Sequence, residues 1–442
     1  MLLTKVPSFY KNRRDRLMQD FPGAAFIFHA HEDFLRNGDV HHSYRQDSHF
    51  YYLTGFEEAE SCLVLAPSKS QPGTYRTILF VLPRDPEKEM WEGQRYGVEG
   101  AIQVFGVDEA YLREDLDKKL LECLEGVERV FYRMGLQSAM DRRILAILEG
   151  HKRRQGRSGQ GLLPVEDPDG PLGEMRLFKS SEEIDIMRKG CQITALAHRV
   201  VMQETRPGMM ESEVEARVDY EFRKAGCQRL GYGSIVAGGR NATCLHYRLN
   251  NDILKDGDLL LIDAGGEYQY YSADITRTFP VGRTFSGPQR KLYELALRSQ
   301  KEAIQMTRPG VTLPQIHRRV CEILVEGLLS LGLLQGKPSE ILKNGDFKRF
   351  YPHNTSHWLG MDVHDVGLYQ KNKEPRLLEP GMVFTIEPGL YVQPSDKDAP
   401  EDYQNIGIRI EDDVLVTSQG CEVLTRDVPK ELTEIEDLRR FL

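Results

Sequence analysis

The chain is poor in the features that mark several protein classes. Seven cysteines (Cys62, Cys123, Cys191, Cys227, Cys244, Cys321 and Cys421) are dispersed through 442 residues with no C-x-x-C pair. An odd, scattered count reads as reduced thiols, not as a disulfide framework or a structural zinc site. No apolar run approaches the 18 residues of a membrane span. The apolar stretch at residues 1–4 stops at Lys5, too short for the core of a secretory signal. The expectation is a soluble, cytoplasmic protein with no membrane partner. Excess positive charge is missing too. The formal net charge of −9 gives no support to a nucleic-acid or anionic-surface partner, which would need a basic face. Low-complexity tracts and short-period repeats are also absent.

What remains is an ordinary globular composition, 40% hydrophobic and 28% charged, in a chain long enough for two or three domains of roughly 150 residues. In the first third, residues 24–29, 62–66 and 77–82 are short apolar runs of buried-strand type, and residues 112–124 have helical periodicity. Together they predict a small α/β domain. Residues 150–173, rich in Arg, Gly, Gln and Pro, read as the linker, dividing the chain into domains 1–174 and 175–442. Ser180-Ser181-Glu182-Glu183 is a capping-box signature opening a long helix, residues 212–215 repeat it, and Leu313-Pro314 opens a third helix. Strand patterns follow at 259–264, 273–279, 382–386 and 407–416. Helices first and antiparallel hairpins next predict an α+β second domain.

Three segments carry chemistry. The apolar run 259–262 ends in Asp263, and Asp274 follows eleven positions later in Ser272-Ala273-Asp274-Ile275-Thr276-Arg277. With a turn at 267–270, the two carboxylates face each other on neighbouring strands, an arrangement that destabilises a sheet unless a cation binds there. The competing reading is a pair of solvated turn carboxylates. His353, His357 and His364 put three of the chain's twelve histidines within twelve residues. The spacing lacks the Glu of a zincin helix, and any one of the three is compatible with a structural role. Glu387, in Thr385-Ile386-Glu387-Pro388-Gly389, closes an apolar strand, with a salt bridge to Arg409 as the alternative. Along Gly407-Ile408-Arg409-Ile410-Glu411, period two sets Ile408 and Ile410 on one face and Arg409 and Glu411 on the other. Four carboxylates with imidazole and no cysteine suit hard or borderline divalent ions such as Mn²⁺. That much negative charge calls for two ions, which would acidify a shared water and polarise a carbonyl for hydrolysis.

The order Asp, Asp, His, Glu, Glu in these contexts resembles the pita-bread metallopeptidases, a group including methionine aminopeptidase, prolidase and aminopeptidase P. The resemblance covers essentially the whole chain. Within the group the match is to bacterial aminopeptidase P, through Tyr44-Arg45-Gln46-Asp47-Ser48, Phe50-Tyr51-Tyr52-Leu53-Thr54-Gly55-Phe56 and Met90-Trp91-Glu92-Gly93-Gln94-Arg95-Tyr96-Gly97. The resemblance implies a small α/β creatinase-like N-terminal domain followed by a pita-bread catalytic domain. It implies a dinuclear-metal hydrolase that releases the N-terminal residue from peptides with proline second. The alternatives are an Xaa-Pro dipeptidase and a binding protein that kept the fold without catalysis. Asp263 would chelate one metal, Asp274 and Glu411 would bridge both, and His357 and Glu387 would complete the other shell. Glu387 would also shuttle a proton, His246 would contact substrate, and His364 would stabilise the tetrahedral intermediate. His353 and Arg409 would shape the proline-side pocket, with Arg409 orienting Asp274 and Tyr391 supporting the ligands. Trp91 would be lent to a neighbouring subunit's site, implying a homo-oligomer, dimer or tetramer. One departure stands out: Asn354 replaces the glycine that usually follows the first histidine.

Overall fold

The computed structural model describes residues 6–440. The chain forms two compact units, Met1–Leu172 and Gly173–Leu442. The first is built on a six-stranded mixed sheet. Ala24–His29 lies inside this sheet, buried at every position. It pairs antiparallel with Cys62–Pro67 on one side and parallel with Arg129–Tyr132 on the other. Tyr75–Val81 and Glu109–Leu112 extend one edge. Apolar strands with both faces covered explain why these runs read as continuous hydrophobic stretches rather than as alternation.

Two expectations for this unit need correction. The helix predicted over 112–124 begins only at Leu116, because Leu112 ends a strand and Arg113–Asp115 form a tight turn. The segment 150–173 is not a free linker. The helix Ser138–Arg154 runs into it, Val165–Glu166 joins the sheet beside Arg129–Tyr132, and the helix Asp169–Leu177 starts inside it. Exposed polar helix ends and edge strands share their composition with linkers, and only pairing tells them apart.

In the second unit Ser180 and Glu183 form the capping box of the helix Ser181–Glu204, and Thr312 and Gln315 that of Leu313–Ser330. The signature at 212–215 is displaced: the helix is Glu211–Lys224, and Glu213 accepts the Met210 N–H. The helix Gly287–Met306, capped by Ser286 and Gln289, was not anticipated. These helices bury one side against small antiparallel sheets: Ile235–Gly238, Leu259–Asp263 and Thr276–Pro280 in one, and Val383–Ile386, Asp412–Val416 and Cys421–Val423 in another. The run 407–416 splits into Ile406–Arg409, paired with Gly389–Val392, and Asp412–Val416, with Ile410 and Glu411 at the crossing. The result is the α+β architecture.

The hairpin that aligns the first two carboxylates turns at Gln269 and Tyr270, both with positive φ, as a two-residue hairpin loop requires. Its register sets Asp263 against Thr276, so Asp274 lies diagonally two residues away on the same face and not directly opposite. Gly265 permits this, since a Cβ there would sit 1.7 Å from the Ala273 carbonyl oxygen.

Candidate metal centre

Strand alternation aims Asp263, Asp274 and Thr276 at one side of their sheet, and the crossing at 410–411 brings Glu411 onto them. One ligand atom from each of Asp274, His357 and Glu411 lies within 4.8 Å of the other two. His357 Nε2 is 3.4 Å from Asp274 Oδ2 and 3.5 Å from Glu387 Oε1. The ring is oriented through Nδ1, 3.0 Å from the Trp358 carbonyl oxygen, which leaves Nε2 facing the carboxylates. Trp358 itself is fully buried, a fixed base for that ring.

Asp263 joins this group through two shared partners. The Tyr232 hydroxyl lies 2.6 Å from Asp263 Oδ1 and 2.5 Å from Asp274 Oδ1, and can donate to one of them at a time. Arg409 donates from Nη2 to Asp263 Oδ2 at 2.5 Å. Among the described residues this is Arg409's ion pair. It therefore orients Asp263, where the resemblance implied Asp274, and it is not the salt bridge to Glu387 weighed above. The guanidinium had to choose a carboxylate, and its Nε bond to Thr276 Oγ1 at 3.1 Å sets it beside Asp263, the residue paired with Thr276. Thr276 donates from Oγ1 to Glu411 at 2.6 Å and Thr385 from Oγ1 to Glu387 at 3.3 Å. Tyr232, Thr276 and Thr385 escaped the sequence reading, because an isolated hydroxyl carries no pattern.

A second chain of hydrogen bonds runs away from the carboxylates. Arg409 Nη1 donates to the Tyr391 hydroxyl at 2.9 Å, which lies 2.9 Å from His353 Nε2, while His353 Nδ1 faces the Asn354 carbonyl at 2.8 Å. This order assigns His353 as neutral, with its proton on Nδ1. Burial, then the Arg409 charge, holds His353 down at about 4. His364 packs edge-on against His357, ring centres 4.4 Å apart. His246 follows the turn Gly239–Thr243 and is exposed, within electrostatic reach of both His353 and His364. Ten of the eleven residues singled out from sequence thus lie in the second unit, around one centre. Trp91 stands on the helix Pro86–Glu92 of the first unit, 84% exposed.

The charges do not balance. Burial, followed by the charges of Asp274, Glu387 and Asp263, pushes Glu411 far above the carboxylate range. Burial raises Glu387 to about 7 despite His357 and Arg409. Asp263 is raised by burial against the pull of Arg409. Burial would lower His357, but Asp274 and Glu387 outweigh it and bring it to about 9. Crowded, buried, oxygen-rich donors that hold on to protons are a set that divalent cations would satisfy.

The profile of metallopeptidase family M24 matches residues 185–418, spanning every one of these donors. The chain belongs to this family. The N-terminal domain of aminopeptidase P matches residues 10–132. Two relatives called Xaa-Pro aminopeptidase are each 41% identical: one from Haemophilus influenzae over 99% of both chains, and one from Escherichia coli over 97% of both. Among solved structures, aminopeptidase PepP of Pseudomonas aeruginosa superposes with a TM-score of 0.95 at 44% identity over 99% of both chains. Zinc-substituted Escherichia coli aminopeptidase P in complex with product gives 0.94 at 39% identity over the same share. As an M24 metallopeptidase of pita-bread fold, the chain works with divalent metal ions.

Proposed function

We infer that the chain is an Xaa-Pro aminopeptidase, a dinuclear-metal hydrolase that releases the N-terminal residue from peptides with proline second. The observation that carries this reading is the convergence of Asp274, His357 and Glu411, tied to Asp263 and Glu387, in a chain matching Xaa-Pro aminopeptidases along nearly its whole length. Asp263, Asp274, His357, Glu387 and Glu411 would hold the two ions. Such a pair supplies Lewis acidity, acidifying water and polarising the scissile carbonyl. The all-oxygen and imidazole donor set favours Mn²⁺.

The chain's own groups do the rest. Glu387, 3.5 Å from His357 at the edge of the donor cluster, takes and returns a proton at its carboxylate. His364, beside His357, is placed to donate to developing charge on the carbonyl oxygen. His246 contacts the substrate. Neutral His353, Tyr391 and Arg409 form a rigid, hydrogen-bonded wall for the proline-side residue. Domains 1–174 and 175–442 are the functional division. Trp91 and the neighbouring Met90, 84% and 78% exposed, support a homo-oligomer, dimer or tetramer, in which Trp91 reaches a neighbour's site. Seven free cysteines support a reducing, cytoplasmic setting.

The test is release of the first residue from an Xaa-Pro-Yaa tripeptide with and without Mn²⁺, alongside an Xaa-Pro dipeptide. Metal-dependent tripeptide cleavage is expected. Cleavage of the dipeptide alone would make the protein a dipeptidase, and no metal-dependent cleavage of either would refute the reading.

A further inference from the structure

His246 is exposed on a long irregular stretch between the turn Gly239–Thr243 and the strand Leu259–Asp263. The fifteen residues 244–258, without helix or strand, do not hold an imidazole in place by themselves. Something must pin the backbone on either side of it.

Buried Asn250 ties the stretch beyond His246 to Val236 and Ser234, and one carboxylate grips both flanks of His246. Glu211, the first residue of the helix Glu211–Lys224, is completely buried. Its Oε1 accepts from the Gly238 N–H at 2.7 Å and from Asn241 Nδ2 at 3.0 Å, both ahead of His246. Its Oε2 accepts from the Tyr247 hydroxyl at 2.9 Å and from the Asp252 N–H at 2.9 Å, both after it. Asn241 Nδ2 also reaches Asp252 Oδ2 at 2.9 Å, closing the two flanks on each other. The helix N-terminus favours the carboxylate's charge, and four donors match its acceptor capacity. The turn itself is held from the other side, where Gly407 lets the strand Ile406–Arg409 pass so close that a Cβ would lie 2.1 Å from the Ala242 carbonyl.

We propose that Glu211 is the positioning residue for His246, gripping the chain before and after the histidine and so fixing where its imidazole meets the substrate. This rests on the reading of His246 as a substrate-contacting group. Glu211 touches none of the five donors above, so its effect passes through the His246 segment and not through metal retention.

The discriminating variant is Glu211→Gln, which keeps the shape but turns an NH₂ toward two of the four donors. Three readouts are taken on the full-length, metal-loaded protein. Tripeptide kcat should fall about 10- to 100-fold with metal content unchanged and KM shifted less than about threefold. Hydrogen exchange should accelerate across 239–252 and not across the strand Leu259–Asp263. In a His246→Ala background the same substitution should change kcat less than about twofold, because what Glu211 positions is already gone. An equal loss in both backgrounds, or unchanged exchange and kcat, overturns the proposal. If Glu211→Gln does not fold, Tyr247→Phe removes one donor and should show the same non-additivity with a loss of about tenfold. A wild-type protein that cleaves no Xaa-Pro peptide would sink the peptidase reading, while the exchange result would still decide whether Glu211 holds the segment.

Discussion

Glu411 and Asp412 are neighbours in the chain, both buried, and their carboxylates have opposite fates. Asp412 points to one side, where Oδ1 accepts from Arg277 Nη2 and Thr425 Oγ1, each at 2.7 Å, and Oδ2 from Lys430 Nζ and Gln300 Nε2, each at 2.6 Å. Burial alone would raise its pKa, but Arg277 and Lys430 outweigh it and hold the carboxyl well below the usual range. Glu411 points the other way, toward Asp274, Glu387 and Asp263, and is driven far above that range. Burial is therefore not the mark of a functional carboxylate. An acid whose charge is matched in full by adjacent cations is structural, whereas acids that outnumber their cations, as Asp263, Asp274, Glu387 and Glu411 outnumber Arg409 and His357, leave a deficit of positive charge that a ligand fills.

The largest effect expected from this contrast comes from exchanging the two kinds of acid for neutral residues. Asp274→Asn should cut tripeptide turnover on the order of 10⁴-fold with little change in the stability of the metal-free protein, because the lost pairing with His357 is offset by relief of the crowding with Glu411 and Asp263. Asp412→Ala should do the reverse, losing about 3–5 kcal/mol in denaturant unfolding by leaving buried Arg277 and half-buried Lys430 without their ion-pair partner. Matching behaviour in the two variants would break the comparison.

Next comes pH. Glu387 at about 7 and His357 at about 9 both lie above their ordinary values, so the metal-free fold binds more protons than the unfolded chain between roughly pH 4.5 and 9. Its stability should fall as pH rises across that window. Asp412, shifted the other way, loses its contribution only in strong acid. Metal must displace the same protons, so its affinity should increase from pH 6 to pH 9, with proton release measurable by calorimetry in buffers of different ionisation enthalpy. At 100 times Kd, metal should restore about 2.7 kcal/mol. A metal affinity independent of pH would contradict the assignment of these donors.

A smaller effect is expected for Tyr232→Phe, which removes the hydroxyl shared by Asp263 and Asp274. Metal affinity or kcat should drop about 10- to 100-fold. The smallest belongs to Asn354→Gly. The Asn354 residue is exposed and its carbonyl already serves His353, so KM should move less than about threefold, within the range of neutral surface changes.

The parts of this molecule that sequence reveals are those with a local cause. The apolar strand that closes on Asp263, the capping box at Ser180, the proline-led helix start at Leu313-Pro314 and the alternation through Ile408 and Arg409 each follow from side-chain chemistry and backbone period. Where two local signals coincide, the reading slipped. A polar helix end and an edge strand were indistinguishable from a linker at 150–173, and the run 407–416 hid a break at the residue that matters most. Tyr232 had no local signature, and neither did Arg409's choice of Asp263 over Asp274.

The order of donor residues along the chain determined which chemistry was available: carboxylates and imidazole closing strands, with no thiolate among them. Only the tertiary structure decided which carboxylates face each other, which receive Arg277, Arg409 or Lys430, and which loop is clamped by Glu211. The reason is physical. Periodicity fixes the face a side chain occupies, but charge balance and hydrogen-bond partners depend on what the fold brings to that face from distant segments.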